Sequence, residues 1–347
     1  MLDVIRIGVI CPSEIAYRRF LPALTENELV NKTFRFAGVA VASPEEWFGN
    51  LFDVSQEQIE SQQIKELEKA RLFVNGYGGQ VFHSYESIIK SEEIDAIYIP
   101  LPPALHYRWA KRALESGKHV MVEKPSTTCL RDTQHLIEIA KKNSLALHEN
   151  YMFVFHNQIQ AVNRIVADEK SVGIPWLYRI TFGFPRRALT DFRYNKKLGG
   201  GALLDAGGYT MRYASELLGP TAKVTTAQAN YEPDVEVDVF GTATMVNADG
   251  VTAQLALAWI MTIGATSKYG GVRERLLQVG YSLLLRAIYL SICLSRTRSI
   301  RNTSCLKMMH SVNRYFALLL VLMMKELALR IMISLSVRNR WCNNTKI

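Results

Sequence analysis

The sequence predicts an α/β chain with an N-terminal doubly wound parallel sheet and an α+β second domain with an open, mostly antiparallel sheet. Short apolar runs alternate with helix-like segments through residues 1–126, the pattern of βαβ units. Longer strands with alternating apolar and polar residues follow from about residue 176, as in a sheet with one solvated face. The composition changes again after residue 262. We therefore expect domains at 1–126 and 127–262, followed by a distinct tail at 263–347.

Four apolar segments provide the strands expected in the first domain. They are IRIGVI (5–10), FRFAGVAVAS (34–43), AIYIPL (96–101) and HVMVEKP (119–125). The stretches HYRWAKRALESG and TQHLIEIAKKN have the spacing of amphipathic helices, and LALHENYMF, which follows the second of them, is a further predicted strand. Because strand and helix alternate, the strands are expected to pair in parallel and to bind ligands at their carboxyl ends.

Four longer strands and one helix are expected in the second domain. The strands are WLYRITFGF, KVTTAQANYE, DVFGTATMVN and VTAQLALAWIM, and TMRYASELLG is the helix. Turn sequences such as NADG (247–250) connect the strands. The pattern predicts an antiparallel sheet with a helix packed on it.

The basic charge of the chain belongs to the tail. The net charge is +9, but residues 263–347 hold 14 Lys and Arg against two acids, Glu274 and Glu326, which leaves −3 for residues 1–262. The apolar run YFALLLVLMM (315–324) is shorter than the roughly 18–20 residues of a membrane span. We hypothesise that the tail is a reading-frame artefact or a decayed gene end, with a helical extension or a basic membrane-surface helix as alternatives. Resequencing the 3′ half of the gene tests this hypothesis.

The totals favour a globular protein of the reducing cytoplasm. With 48% apolar and 21% charged residues, 347 residues can form two domains with full cores. The five cysteines show no clustering with each other or with histidine, so we expect neither disulfides nor a metal site. The first apolar run contains Arg6 and is interpreted as a strand, not a signal peptide. Because the charge excess lies in the tail, neither nucleic acid nor membrane is expected as a partner.

A turn that could bind phosphate follows the first strand. Gly8 precedes it, and Cys11, Ser13, Glu14 and Ile15 lead into a helix. A dinucleotide site needs a tight turn and a helix N-terminus that faces the pyrophosphate. Small residues stand where glycines are expected, and Ser13 can cap the helix, so a phosphate loop and an ordinary strand–helix turn both fit.

The end of the second strand is the position that contacts the adenosine ribose in such sites. An acid there favours NAD. Ser43 is neutral and could accept either a ribose hydroxyl or a phosphate, whereas Glu45 and Glu46 disfavour a 2′-phosphate. The choice between NAD and NADP stays open at this point.

Two further segments carry candidate catalytic groups. Lys124 ends a predicted parallel strand, where its ammonium could stabilise an alkoxide; a surface lysine near a turn is the alternative. Asp205 and Tyr209 follow three glycines and are four residues apart, so they share one helical face. They could position a substrate hydroxyl and relay its proton, or they could be a capping acid and a core tyrosine.

Together these segments resemble the glucose-fructose oxidoreductase/inositol dehydrogenase (Gfo/Idh/MocA) family over about residues 5–262. The motifs EKP (123–125) and GGGALLDAGGY (199–209) carry the resemblance. It implies a Rossmann domain that binds NAD or NADP, and a second domain whose open sheet often forms a homo-oligomer. The implied activity is hydride transfer to or from a sugar, cyclitol or sugar-nucleotide carbinol or ketone.

The resemblance also implies roles for individual residues. The catalytic residues are expected to be Lys124, Asp205 and Tyr209, with the phenol as general acid/base and its pKa lowered if Lys124 approaches it. The residues that contact the sugar-like substrate are expected to be Lys124, Tyr151, Arg193, Asp205 and Tyr209. Arg193 could equally form a structural salt bridge. The residues that contact the cofactor are expected to be Gly8, Cys11, Ser13, Glu14, Ile15, Ser43, Leu101, Pro102, His106, Glu123 and Lys124.

The chain departs from the family pattern at several places. Pro103 stands where asparagine is frequent, and Tyr209 stands where many members have histidine. No segment after residue 262 matches the last strands and the closing helix, so the second sheet is expected to be incomplete. An inactive nucleotide-binding sensor or pseudoenzyme is therefore the alternative function.

Overall fold

The computed structural model describes residues 4–167, 175–259, 276–280 and 287–294. The chain divides into two units between Asn150 and Tyr151. One six-stranded sheet lies in each unit.

All strand pairs of the first sheet are parallel. Its strands are β1 (Ile5–Ile10), β2 (Phe34–Ala40), β3 (Gln80–Phe82), β4 (Ala96–Ile99), β5 (His119–Val122) and β6 (Leu147–Glu149). They are arranged in the order β3-β2-β1-β4-β5-β6. The order reverses between β1 and β4, and this is where doubly wound sheets open a crevice for dinucleotides.

Helices cover both faces of this sheet. The described helices are α1 (Leu21–Thr25), α2 (Glu28–Asn31), α3 (Pro44–Phe48), α4 (Gln56–Tyr77), α5 (Tyr85–Lys90), α6 (Pro103–Glu115) and α7 (Leu130–Lys142). Ala96 and Tyr98 of β4 pack in one core with α1 and α4, whereas Ile97 and Ile99 pack in another with α5, α6 and α7. Successive residues of a strand point to opposite faces, which is why β4 is apolar throughout. The predicted doubly wound domain is confirmed.

The first unit extends beyond the boundary that the sequence predicts. We placed that boundary after residue 126, where Pro125 ends a predicted strand. The structure shows that β6 pairs with β5 through Val120 and Leu147, so α7 and β6 complete the first sheet. The helix and the strand predicted after the boundary, in TQHLIEIAKKN and LALHENYMF, thus belong to the first unit.

The second sheet is mixed. Its strands are β7 (Pro175–Gly183), β8 (Lys223–Tyr231), β9 (Asp238–Val246), β10 (Thr252–Ala258), β11 (Leu276–Gly280) and β12 (Ala287–Leu294), in the order β11-β12-β7-β10-β9-β8. Only β7 and β10 pair in parallel. The helices α8 (Asn157–Ala167) and α9 (Gly208–Leu218) belong to this unit.

Two strands come from the segment that we interpret as a foreign tail. We expected none after residue 262, yet β12 pairs along the whole of β7 and β11 pairs with β12. The expectation of a second sheet without strands after residue 262 is therefore wrong. The other residues of 263–347 lie outside the described residues, and the origin of that segment stays a hypothesis.

Candidate active site

The turn after β1 contains a left-handed residue that is not glycine. Cys11 has φ 74°, and its backbone N–H donates to the carbonyl of Ala40 over 3.0 Å. The hydroxyl of Ser13 accepts from the backbone N–H of Ala16 over 3.3 Å, so Ser13 caps the next helix as the sequence predicts. That helix continues through a π-helical turn (Ala16–Phe20) into α1. A sharp turn and a helix start thus meet where the strand order reverses, which fits a dinucleotide.

Several predicted cofactor contacts in this turn have other neighbours. A Cβ on Gly8 would lie 2.8 Å from Ile88, so this glycine allows α5 to approach β1. The Cys11 thiol is buried beside Tyr85, and burial raises its pKa to about 12, which keeps it protonated. Glu14 pairs with Arg18 and is exposed, as is Ile15. The backbone of the turn, more than these side chains, is therefore available to a pyrophosphate.

Two backbone carbonyls flank the ring of His106, which is fully buried. As a neutral ring it can donate a hydrogen bond to only one of them. Its Nε2 lies 2.6 Å from the carbonyl oxygen of Leu101, and its Nδ1 lies 2.8 Å from that of Pro125. Burial lowers its pKa to about 4, the Lys124 charge contributes to the lowering, and the two carbonyls oppose it. Its ring nitrogens thus face carbonyl groups that follow β4 and β5, and the contact of His106 with the cofactor stays a prediction.

Glu123, the acid of the EKP motif, forms buried hydrogen bonds with other parts of the first unit. Oε1 of Glu123 accepts from the hydroxyl of Tyr98 over 2.7 Å and from the side-chain amide of Asn150 over 2.6 Å. Burial and the Glu123 carboxylate raise the pKa of Tyr98 well above its usual value. Next to it, Glu149 accepts from the backbone N–H of Ser126 over 2.7 Å. These bonds fix the chain on both sides of Lys124, which is the second residue after β5 at the carboxyl edge of the sheet.

The three glycines of the second motif allow close packing in the second unit. Gly200 abuts the backbone of Arg193, and a Cβ there would overlap it. Gly201 has φ 119° and packs against Asp238. The carboxylate of Asp238 accepts from the backbone N–H of Leu203 over 2.6 Å. A loop, a strand and a π-helical turn (Leu203–Gly207) are thereby held together.

Asp205 lies in that π-helical turn and is bound by Arg193. Nε of Arg193 donates to Asp205 over 2.7 Å, and its Nη1 donates to Asp191 over 3.1 Å. The two carboxylates raise the pKa of the guanidinium. The salt bridge that we considered for Arg193 is therefore present, and it orients the predicted acid.

Tyr209 is surrounded by aromatic rings of its own unit. Its ring centroid lies 4.5 Å from that of Phe182, 5.4 Å from Tyr151 and 5.5 Å from Phe153. The hydroxyl of Tyr151 fills the space that a Cβ on Gly208 would take. Helix α9 starts at this glycine, so the packing sets the direction of Tyr209.

Some residues of these networks are missed by sequence reasoning. Tyr98, Asp191 and Asp238 act over separations of 25, 2 and 35 residues. Only Asp191, in the DFRY segment, carries a local sign, because an acid two residues before an arginine can cap a turn. The two long-range partners leave no pattern in a single sequence.

In the described part of the chain, no group of three or more His, Cys, Asp or Glu could hold a metal ion. Among the helices placed there, none has the length and apolarity needed to cross a bilayer.

Comparison with known proteins identifies the family. A family model described as oxidoreductase family, NAD-binding Rossmann fold, matches residues 42–151. A model of the GFO/IDH/MocA C-terminal domain matches residues 159–274. A dTDP-3,4-didehydro-2,6-dideoxy-α-D-glucose 3-reductase of Actinomadura kijaniata is 36% identical over 72% of this chain and 67% of its own length. The enzyme of that name from Saccharopolyspora spinosa is 31% identical over 80% of this chain and 75% of its own length.

Solved structures agree with this result. A 3-ketoreductase from Actinomadura kijaniata, in complex with NADP and TDP-benzene, has a TM-score of 0.63 and 34% identity, covering 74% of this chain and 70% of its own. Variants of that protein with one lysine or one tyrosine replaced have also been solved. An aldose-aldose oxidoreductase from Caulobacter crescentus, 24% identical with a TM-score of 0.60, shares the fold. The chain belongs to the Gfo/Idh/MocA family and is an oxidoreductase with an NAD(P)-binding Rossmann domain.

Proposed function

We propose that this protein reduces a ketone of a nucleotide-linked deoxysugar to the alcohol. Four relatives that are 31–37% identical carry the same name, a 3-reductase of dTDP-3,4-didehydro-2,6-dideoxy-α-D-glucose. The observation that carries the proposal is the buried network of Glu123 and His106 around Lys124. It fixes the backbone that carries Lys124 at the edge where parallel sheets bind their ligands.

The proposed reduction of the ketone consists of a hydride transfer and a proton transfer. When bound, the reduced nicotinamide supplies the hydride, which forms the new C–H bond at the carbonyl carbon. The π electrons of the C=O bond move to the oxygen, which takes a proton from the phenol of Tyr209. The ketone is thereby reduced to an alcohol, the nicotinamide is oxidised, and solvent returns a proton to Tyr209.

Lys124 stabilises negative charge in this scheme. An ammonium held beside the carbonyl oxygen donates a hydrogen bond that strengthens as the alkoxide forms. Preorganisation is essential, because a side chain that must first be oriented contributes less to the rate.

Asp205 and Tyr151 orient groups in the second unit. Asp205, fixed by Arg193, is suited to accept a hydrogen bond from a sugar hydroxyl. Tyr151 is buried against Gly208 and packs edge-on to Tyr209. We propose that Asp205 binds substrate and that Tyr151 positions the catalytic ring.

The test is turnover of dTDP-3,4-didehydro-2,6-dideoxy-α-D-glucose, followed by loss of reduced-nicotinamide absorbance. The product should carry a hydroxyl at the former ketone carbon. The Lys124→Ala variant should be inactive, whereas Lys141→Ala, on an exposed turn of α7, should match the wild type. Tight nucleotide binding without turnover of any nucleotide-linked ketosugar would contradict the proposal and favour the inactive sensor.

The homo-oligomer implied by the resemblance is a second part of the proposal. On one face of the second sheet, polar and small residues of β7, β8, β9 and β10, such as Arg179, Thr242 and Gln254, line a concavity of about 510 Å³. We propose that a second copy of the chain covers this face. Sedimentation velocity should show a dimer or tetramer, and a monomer at micromolar concentration would contradict it.

A further inference from the structure

We infer that the turn Ser43–Glu46 rejects a 2′-phosphate, so that this chain binds NAD(H) in preference to NADP(H). The inference deepens the proposed function by naming its cofactor. It concerns the turn that follows β2, next to β1 in the first sheet. Side chains at this position of a dinucleotide fold contact the adenosine ribose.

Hydrogen-bond donors in this turn are already engaged. The hydroxyl of Ser43 donates to the Glu45 carboxylate over 2.9 Å, and its backbone N–H donates to Glu46 over 2.9 Å. The backbone N–H of Glu46 donates in return to the Ser43 hydroxyl over 3.3 Å. A bound phosphate needs several donors, and here it would have to displace carboxylates from the two donors of Ser43 and the Ser43 hydroxyl from the backbone N–H of Glu46.

The Glu46 carboxylate is held in place by several backbone hydrogen bonds, which would be lost if it moved away. Its carboxylate also accepts from the backbone N–H of Tyr85 over 2.8 Å and of Glu86 over 3.0 Å. It thereby caps α5 as well as α3. One negative charge is therefore fixed beside Ser43 by three backbone donors.

Glu45 supplies a second, solvent-facing charge. Its own backbone N–H and the Ser43 hydroxyl lower the pKa of this carboxyl, so it is ionised at neutral pH. Within the part of the chain that the structure describes, neither Glu45 nor Glu46 forms an ion pair with a lysine or arginine. Cations at such positions are what NADP sites use to bind the 2′-phosphate.

The same carboxylate suits NAD. The Glu45 oxygen bound to the Ser43 hydroxyl is an acceptor of the kind that ribose hydroxyls require. A 2′-phosphate carries about two negative charges, and at 4–5 Å from one carboxylate in water their repulsion weakens binding by at least roughly tenfold. The solved relative from Actinomadura kijaniata was crystallised with NADP, so this chain would differ from it in cofactor.

Calorimetric titration of the full chain with NADH and with NADPH, without sugar, tests the inference. We expect NADH to bind at least roughly tenfold more tightly than NADPH. Glu45→Gln should reduce that ratio several-fold, and Glu45→Arg should favour NADPH. Glu68→Gln, an exposed acid on α4, is the matched control and should leave the ratio unchanged.

Two results would overturn the inference. One is equal or tighter binding of NADPH by the wild type, and the other is an unchanged ratio in both Glu45 variants. Failure of the proposed function gives a different pattern. In that case NADH still binds more tightly than NADPH, but no nucleotide-linked ketosugar is turned over.

Discussion

The segments that carry Lys124 and Tyr209 are fixed by different physical means. Around Lys124, buried polar groups hold the backbone: Glu123 binds Tyr98 and Asn150, and His106 lies between two carbonyls. Around Tyr209, the backbone is held by the packing of aromatic rings and by the close approach of Tyr151 to Gly208. The segment around Lys124 therefore depends on protonation and hydrogen bonding, and the segment around Tyr209 depends on close packing. A change in pH should affect mainly the first segment, and a change in side-chain volume should affect mainly the second.

Removal of the amine gives the largest expected effect. Lys124→Ala should lower kcat by about 10³-fold, within the range for loss of a positioned acid–base group. The printed hydrogen bonds of Glu123 and His106 run to Tyr98, Asn150, Leu101 and Pro125, so the variant should still fold, with a melting temperature close to that of the wild type. Steady-state kinetics and thermal melts measure both. Retained activity in a folded variant would show that this segment has no catalytic part.

The polar anchoring predicts that acid weakens the first unit through His106. Burial holds its folded-state pKa at about 4, below the ordinary value of 6.5. The unfolded state therefore binds an additional proton between these values, and the free energy of unfolding falls as pH falls, by ~1.4 kcal/mol per unit. Denaturant titrations at pH 7 and pH 5 should show a loss of about 2 kcal/mol from this group.

The variant His106→Asn isolates that contribution. It should be less stable than the wild type at pH 7, since the carbonyls of Leu101 and Pro125 lose part of their hydrogen bonding. Its stability should nevertheless change less between pH 7 and pH 5. The same pH dependence in both proteins would assign the acid sensitivity to other groups.

The packing in the second unit predicts sensitivity to one methyl group. In Gly208→Ala the new Cβ meets the Tyr151 hydroxyl, and overpacking of this kind costs about 1–3 kcal/mol. Gly76→Ala is the matched control, because its Cβ would be 3.7 Å from the nearest atom on α4, where alanine favours the helix. Denaturant unfolding should separate the two variants at every pH. Equal stability would mean that the aromatic cluster is loosely packed.

Sequence reasoning succeeded where the signal is local and periodic. The alternation of strands and helices predicted the parallel sheet, and proline and glycine motifs marked the EKP and GGG segments. It recognised a strand in LALHENYMF but did not assign it to the first sheet, because that assignment depends on the pairing of β6 with β5. The strands β11 and β12 were missed.

At the candidate site, the residue types were easier to predict than their roles. Glu123 and His106 stand in motifs that suggest cofactor contacts, yet their partners are Tyr98, Leu101 and other groups brought near by the fold. The interpretation of Arg193 stayed divided, because a salt bridge to Asp205 depends on a loop path that spacing does not reveal. Buried hydrogen bonds between distant residues carry no periodic signature.

A double-mutant cycle on kcat tests most directly whether the two segments act in one reaction. Lys124→Ala, Tyr209→Phe and the double variant would be compared with the wild type on the same nucleotide-linked ketosugar. Because the proposal assigns the phenol and the amine to one proton transfer, the double variant should be about as slow as the slower single variant. Rate losses that multiply, or full activity in Tyr209→Phe, would contradict the account.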